Sequence, residues 1–326
     1  MPKSSVSSLN VLVKSAIGGN RRAIAKLMSL VENDPKARVK ILSQIYWKMN
    51  RARIVGITGP PGCGKSTLIG QLAKRYRDSG HTVGVVAVDP SSHLTGGALL
   101  GDRVRMGELA SDPKIFIRSM ATRGHFGGIA QATEDVVHVL DAVGTDYVIV
   151  ETAGAGQSDV DVKNFVHTTV VVTAPGLGDE IQALKAGIME IGDIFVVNKA
   201  DIEGADRTAQ QILSMTMMSE PGNGWRPRVM KTVATNGDGV EGLAEAVNQH
   251  ARFLEEHGHE LESNNNCVVA VLEASRRYFN DVILGQMVLT RKFEYVTKRV
   301  AARSLDPYSA AQLLLHSYLK KRQKRV

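Results

Sequence analysis

The chain has 326 residues, 43 % apolar and 5 % aromatic, with a formal charge of +7; that is enough to bury one α/β core of about 200 residues plus helical additions. No stretch reaches 18 uninterrupted apolar residues, and the only cysteines are Cys63 and Cys267, so neither a membrane-spanning helix nor a disulfide framework is expected. Five of the positive charges fall in 320–325, Lys-Lys-Arg-Gln-Lys-Arg, leaving a body of +2, and no basic stripe interleaved with aromatics exists for a nucleic acid to bind.

The start, Met1-Pro-Lys-Ser-Ser-Val-Ser-Ser, has neither the apolar run of a secretory signal nor an Arg-rich amphipathic pattern, which predicts a cytoplasmic protein with no membrane partner. Residues 8–50 read as helical, with Asn20 capping a helix from Arg21 and Asp34-Pro35 opening a second. We treat 1–50 as an N-terminal helical extension.

From residue 51 to about 258, strands alternate with helices. Strands are expected near 53–58, 82–89, 115–118, 146–151, 168–174, 193–198 and 228–233, and helices near 65–79, 129–143, 180–190, 206–218 and 239–257. The βαβ alternation predicts a mostly parallel sheet flanked by helices, with ligands at the strand C-termini. Glu260-Leu-Glu-Ser-Asn-Asn-Asn266 breaks the pattern with polar turn formers and predicts a hinge. Residues 259–326 then form a helical arm with helices near 268–300 and 306–324, the second capped by Asp306 before Pro307. Val268, Val271, Leu272, Tyr278, Phe279, Val282 and Ile283 recur at helical spacing, so the arm has an apolar face that its own core or a second subunit must cover.

The chemistry begins at 59–66, Gly-Pro-Pro-Gly-Cys-Gly-Lys-Ser, a complete GxxxxGK[ST] phosphate loop after the apolar run Arg53-Ile-Val-Gly-Ile-Thr58. Gly62, Cys63 and Gly64 present backbone N–H groups to the phosphates, and the following helix points its positive end at them. Lys65 suits the β/γ oxygens, and Ser66, with Thr67 beside it, suits Mg²⁺. The chain is therefore expected to bind a nucleoside triphosphate with Mg²⁺.

Three acids are expected at the same sheet edge near metal and γ-phosphate: Asp89, Asp102 and Glu151. For each the competing reading is a turn or cap acid. Ala153-Gly-Ala-Gly-Gln-Ser158 is glycine-rich enough to move with the γ-phosphate, Gly154 sensing it through its N–H. Gln157 is either a water-orienting residue or a surface residue of that loop. Ala174-Pro-Gly-Leu-Gly-Asp179-Glu180, with Lys185 beyond it, predicts a second mobile loop. Asn198-Lys199-Ala200-Asp201 closes a strand about 135 residues after the phosphate loop and is the NKxD guanine signature. Asp201 can accept from guanine N1–H and the 2-amino group, which adenine lacks. Lys199 can lie over the ring face, and Asn198 can tie this loop to the phosphate loop. Ala234 and Thr235 are expected to offer N–H groups to guanine O6.

The chain resembles the MeaB-like GTPases, also called the ArgK or methylmalonic-aciduria type A group, along nearly its whole length. The resemblance lies in the phosphate loop through Thr67, Asp89-Pro-Ser-Ser92, Gly96-Gly97 with Leu100-Gly-Asp102, Arg105-Met106, Gly127-Gly128, Glu151-Thr152, Gly156-Gln-Ser158, Pro175-Gly-Leu-Gly-Asp-Glu180, Lys185, Gly187-Ile-Met-Glu190, Asn198-Lys-Ala-Asp201 and Asp306-Pro-Tyr308. It implies a G-protein chaperone that couples GTP hydrolysis to GDP with cofactor loading, protection or rescue of an adenosylcobalamin-dependent acyl-CoA mutase, typically methylmalonyl-CoA mutase. It also implies a homodimer joined through the C-terminal arm. Carried over by position, Lys65 and Ser66 bind phosphate and Mg²⁺, Asp89, Asp102 and Glu151 form the metal and hydrolysis site, and Lys185 sits on a loop reorganised by the mutase. The chain departs from the family in Ala153, Ala155 and the segment Met120-Ala-Thr-Arg-Gly-His-Phe126, which leaves a mutase acting on isobutyryl- or 2-hydroxyisobutyryl-CoA as an alternative client. A transport-linked ATPase or kinase for basic amino acids is the other reading, and Asn198-Lys-Ala-Asp201 argues against it. An RNA-associated GTPase rests on the basic tail alone.

Overall fold

A run of residues buried on both faces, rich in Val and Ile, suits a parallel strand covered by helices above and below. The computed structural model describes residues 4–49, 52–89, 109, 111–121, 128–152, 163, 165–177, 190–217, 224–261 and 264–323, and among them are seven strands, of which the inner ones are buried in this way. The strands are β1 Arg53–Thr58, β2 Val83–Asp89, β3 Ile115–Ala121, β4 Tyr147–Glu151, β5 Thr168–Thr173, β6 Ile194–Val197 and β7 Arg228–Lys231. Their order is β3-β2-β4-β1-β5-β6-β7, and every neighbouring pair is parallel. Ile57 pairs with Glu151 and Ala87 with the same Glu151, so Asp89 stands two residues further along the neighbouring strand. All strand C-termini therefore meet at one edge.

Alternation divides each strand between two cores. On one face Val55, Ile57, Val85, Ile149 and Val172 pack with Leu68, Ile69 and Leu72 of α4 (Lys65–Asp78) and with Leu243 and Val247 of a helix over Val240–Leu261. On the other, Ile54, Val86, Val148 and Val150 pack with α5 (Gly128–Ala142) and with three N-terminal helices, α1 Ser4–Ile17, α2 Arg21–Asn33 and α3 Pro35–Ile45. Phe195 and Val197 continue this face under α6 (Ala205–Met217). The helix over Val240–Leu261 is α7.

The N-terminal helices are thus a layer of the domain rather than an appendage. Their caps are as the sequence predicts: Asn20 accepts from Ala23 N–H, and Asp34 from Lys36 and Ala37 N–H. Ile24, Leu27, Met28 and Val31 of α2 are buried, each such side chain contributing roughly 1.5–3 kcal/mol. Polar ties fix the layer to β3 and α5. Arg21 donates to the Asp112, Pro113 and Ile115 carbonyls and stands over the Phe116 ring. Arg118 pairs with Glu32, and Arg38 with the buried Asp135 at 3.2 Å.

Two compact units divide at His259/Glu260. The division falls at the start of the polar segment 260–266: α7 runs to Leu261 and α8 begins at Asn264 (Asn264–Tyr278), with 262–263 outside the described residues. Asn and Ser favour turns by capping backbone groups locally, and that same capacity suits them to the end of a helix. The second unit continues through a π-helical turn, Phe279–Leu284, into α9 (Gly285–Val288), α10 (Arg291–Ala301) and α11 (Pro307–Gln323). The single helix expected near 268–300 is interrupted, because Thr290 turns extended and caps α10 through Phe293 N–H. Asp306 caps α11 as expected, accepting from Tyr308 and Ser309 N–H. No described helix is long and apolar enough to cross a membrane.

At the N-terminal edge of the sheet, Asp193 and His250 of α7 form a buried pair, Nε2 to Oδ1 at 3.6 Å. Thr168 Oγ1 lies 2.9 Å from His250 Nδ1, Thr169 N–H donates to Asp193 Oδ2, and the Trp225 ring lies against the imidazole. Burial lifts Asp193 to about 6 against the opposing Thr169 N–H and the Lys163 charge. Burial, with the His167 charge second, lowers His250 to about 4. Between these values the folded pair holds one proton, and the unfolded pair also holds one, on the histidine, so the two linkages cancel. Removing either member exposes the other. In Asp193→Asn the depressed histidine remains, so stability should fall as pH drops from 6.5 toward 4. In His250→Gln the raised carboxyl remains, so stability should fall as pH rises from 4 to 6. Thermal unfolding from pH 4 to 6.5 should give opposite slopes for the two variants; equal slopes refute the compensation.

Candidate nucleotide site

The phosphate loop leaves β1 at Gly59, whose φ is +144° and whose missing Cβ would fall 1.9 Å from the Val172 carbonyl oxygen. No side chain fits there, and the loop is pressed against β5. Gly64 caps α4 in the left-handed region at φ +94°, and a Cβ on it would meet Asn198 Nδ2 at 2.4 Å. Both glycines are therefore required by contact as well as by backbone freedom.

Lys65 is 8 % exposed and arches over the loop, donating to the Gly59 and Pro60 carbonyls at 2.7 and 3.1 Å. Its charge is held at the loop that the sequence assigns to phosphate, with one more donor than these two acceptors use. The Cys63 thiol is fully buried, and desolvation raises its pKa despite the Lys65 charge; it packs as an apolar side chain. Thr67 is exposed beside Ser66 on the first turn.

Ser66 Oγ donates to Glu151 Oε1 at 2.6 Å. The end of β4 thus meets the start of α4, and Glu151 is 8 % exposed. A hydroxyl and a carboxylate in contact form an all-oxygen donor set, which fits Mg²⁺. Around them the hydroxyls of Thr58, Thr152 and Thr173 are buried with no hydrogen-bond partner among the described residues. These unspent polar groups at the strand C-termini suit an edge meant to hold water and ions. Among the described residues no three His, Cys, Asp or Glu side chains cluster as a self-sufficient metal cage. Mg²⁺ bound through one or two protein oxygens and phosphates does not need one. Asp89 ends β2 at this edge. Asp102, Gly154, Gln157 and Lys185 lie outside the described residues.

Asn198 closes β6 and is 2 % exposed. Its amide donates to the Cys63 carbonyl at 2.8 Å, and its carbonyl oxygen accepts from Thr232 Oγ1 at 3.1 Å and Ala234 N–H at 3.0 Å. The expected tie to the phosphate loop is present and extends to a third loop. Ala234 differs from expectation: its N–H, assigned to a base carbonyl, here goes to Asn198, because the loop after β7 is drawn onto the buried amide. Thr232 was missed by sequence reasoning, since its one signal is a threonine beside a strand end, and its partner lies 34 residues away.

Lys199 adopts φ +55°, a left-handed conformation uncommon for a non-glycine residue, and donates to the Gly62 carbonyl at 2.8 Å. Its stem consequently runs from the NKAD loop to the phosphate loop. Asp201 and Thr235 are exposed on their loops, open to a ligand. The structure therefore brings together Gly62, Cys63, Gly64, Lys65, Ser66, Glu151, Asn198, Lys199 and Ala234.

Asn198→Ala removes all three of these hydrogen bonds and should cost about 2–4 kcal/mol in denaturant unfolding of the ligand-free protein, at roughly 0.5–1.5 kcal/mol each. An unchanged midpoint would remove the amide as the junction of the three loops.

Residues 24–283 match the family described as Methylmalonyl Co-A mutase-associated GTPase MeaB. A protein of Pyrococcus abyssi (strain GE5 / Orsay) bearing the name GTPase is 47 % identical over 313 residues, covering 94 % of this chain and 96 % of that one. The Mus musculus protein named "Methylmalonic aciduria type A homolog, mitochondrial" is 29 % identical over 338 residues, covering 94 % and 79 %. A solved structure titled as a LAO/AO transport system kinase shares the fold, with a TM-score of 0.69 at 23 % identity over 97 % of this chain and 98 % of that one. With its phosphate loop, NKAD loop and parallel sheet in place, the chain belongs to the MeaB family of methylmalonyl Co-A mutase-associated GTPases.

Proposed function

We propose that this GTPase is a chaperone of an adenosylcobalamin-dependent acyl-CoA mutase, methylmalonyl-CoA mutase first among them, and that GTP hydrolysis gates cofactor loading or repair. The observation that carries the reading is the match over 24–283 to a family described by its association with that mutase. The relation to the methylmalonic aciduria type A homolog supports it. The apolar residues Val268, Val271 and Leu272 of α8 are 56, 65 and 63 % exposed, which supports a homodimer formed through the C-terminal arm.

In the mechanism, the loop N–H groups and Lys65 hold the triphosphate, and Asp201 reads guanine N1–H and the 2-amino group. Lys199 covers the ring, while Asn198 keeps the base and phosphate loops in register. Ser66 and Glu151, joined by Asp89 and Asp102, would hold Mg²⁺, which when bound offsets charge developing toward the leaving phosphate. Ser66 would offer its hydroxyl oxygen to the ion. The Glu151 carboxylate, hydrogen-bonded to Ser66, is placed to accept a hydrogen bond from the attacking water and orient it. Gly154 reports the γ-phosphate, and Lys185 lies on the loop through which a mutase stimulates hydrolysis.

Steady-state GTP hydrolysis measured with and without methylmalonyl-CoA mutase from the same source, with ATP as control, tests the proposal. A low basal GTP rate rising severalfold with the mutase is expected; indifference overturns that client, and equal ATP turnover overturns the base assignment. Glu151→Gln should keep nucleotide affinity and lower hydrolysis on the order of 10²-fold; wild-type turnover would make Glu151 structural. Lys65→Ala should weaken triphosphate binding itself, and unchanged affinity would take Lys65 out of the phosphate site.

A further inference from the structure

Away from the nucleotide edge, α1, α2 and α3 enclose an open groove of about 530 Å³. Its floor is Leu9, Leu12 and Leu30, all half-buried, and its outer lip on α1 is Val11, 65 % exposed. The α1 residues that line it, Ser8, Leu9, Val11, Leu12 and Ser15, carry no charge, while the facing walls carry Lys26 of α2 and Lys36 and Lys40 of α3. Asp34 is the one acid of the lining, and its carboxylate already caps α3 through Lys36 and Ala37 N–H. The groove is therefore apolar below, small-walled on one side and cationic on the other.

We propose that this groove docks an acidic amphipathic helix of a partner protein. From Ser8 to Ser15 α1 runs about 10 Å at 1.5 Å per residue, which matches two turns of a helix laid alongside, with apolar anchors at i, i+4 and i+7 on the leucine floor. The lysines select carboxylates along the flank that faces α2 and α3. The chain's own basic tail, five positive charges in 320–325, has the wrong sign for the site. The groove helices are also those that hold the sheet: α2 carries Ser29 and Glu32, which bind Arg118 of β3, and α3 carries Arg38, which binds Asp135 of α5. A helix seated here would lie on the layer that these contacts tie to β3 and α5.

The test uses the full chain and a fluorescein-labelled synthetic helical peptide with leucines at i, i+4, i+7 and i+11 and glutamates on one flank, followed by anisotropy. Saturable binding is expected, weakened at least tenfold by Lys26→Glu/Lys36→Glu/Lys40→Glu and by Val11→Asp. Lys14→Glu, on α1 but outside the lining, should leave it unchanged, as should a lysine-for-glutamate peptide fail to bind. Circular dichroism and nucleotide affinity check that each variant is folded. No saturable binding, or equal weakening by Lys14→Glu, overturns the proposal. So does binding to phosphatidylglycerol vesicles in place of the peptide, which would make the groove a lipid site. Loss of self-association in the lysine variant would instead assign it to a second copy.

Discussion

One buried amide organises the nucleotide edge. Asn198 gives its N–H to Cys63 in the phosphate loop and takes hydrogen bonds from Thr232 and Ala234 in the loop after β7. Three segments far apart in sequence are thereby fixed relative to one another, and a buried amide left unsatisfied would cost on the order of 1–3 kcal/mol. Gly64 follows from this, since a side chain there would collide with the Asn198 amide nitrogen. Lys199, held left-handed so that its ammonium reaches Gly62, adds a second tie. The NKAD loop and the phosphate loop are mechanically one unit.

The sheet converts this clamp into a directional device. All seven strands are parallel, so Asp89, Glu151 and Asn198 leave the sheet at the same edge, where helix α4 begins. The opposite edge is closed by the buried Asp193–His250 pair and the Trp225 ring, groups of no use to phosphate chemistry. One face of the sheet is covered by α4 and α7, the other by α5 together with α1 to α3. That second covering makes the N-terminal helices part of the core: together with α5 they keep Ile54, Val86, Val148 and Val150 from water.

Much of the site was legible because its chemistry is local. A phosphate loop is eight consecutive residues whose glycines, lysine and serine act through their own backbone and side chains, and NKAD is four residues at a strand end. Caps at Asn20, Asp34 and Asp306 were legible for the same reason, since the acceptor lies within three residues of its donors. Thr232 escaped because its role exists only once β6 and β7 lie side by side.

By itself the sequence determined the alternation of strands and helices, the parallel sheet, the phosphate loop, the guanine signature and the family, all of which are written in periodicity or in short contiguous motifs. Only the tertiary structure decided that residues 4–45 complete the sheet's second face, that Ser66 meets Glu151, and that Asn198 makes its expected tie through the Cys63 carbonyl while claiming Ala234 N–H. Those facts depend on pairs 85, 36 and 135 residues apart, and no local propensity carries the distance between residues that the folding of the whole sheet brings together.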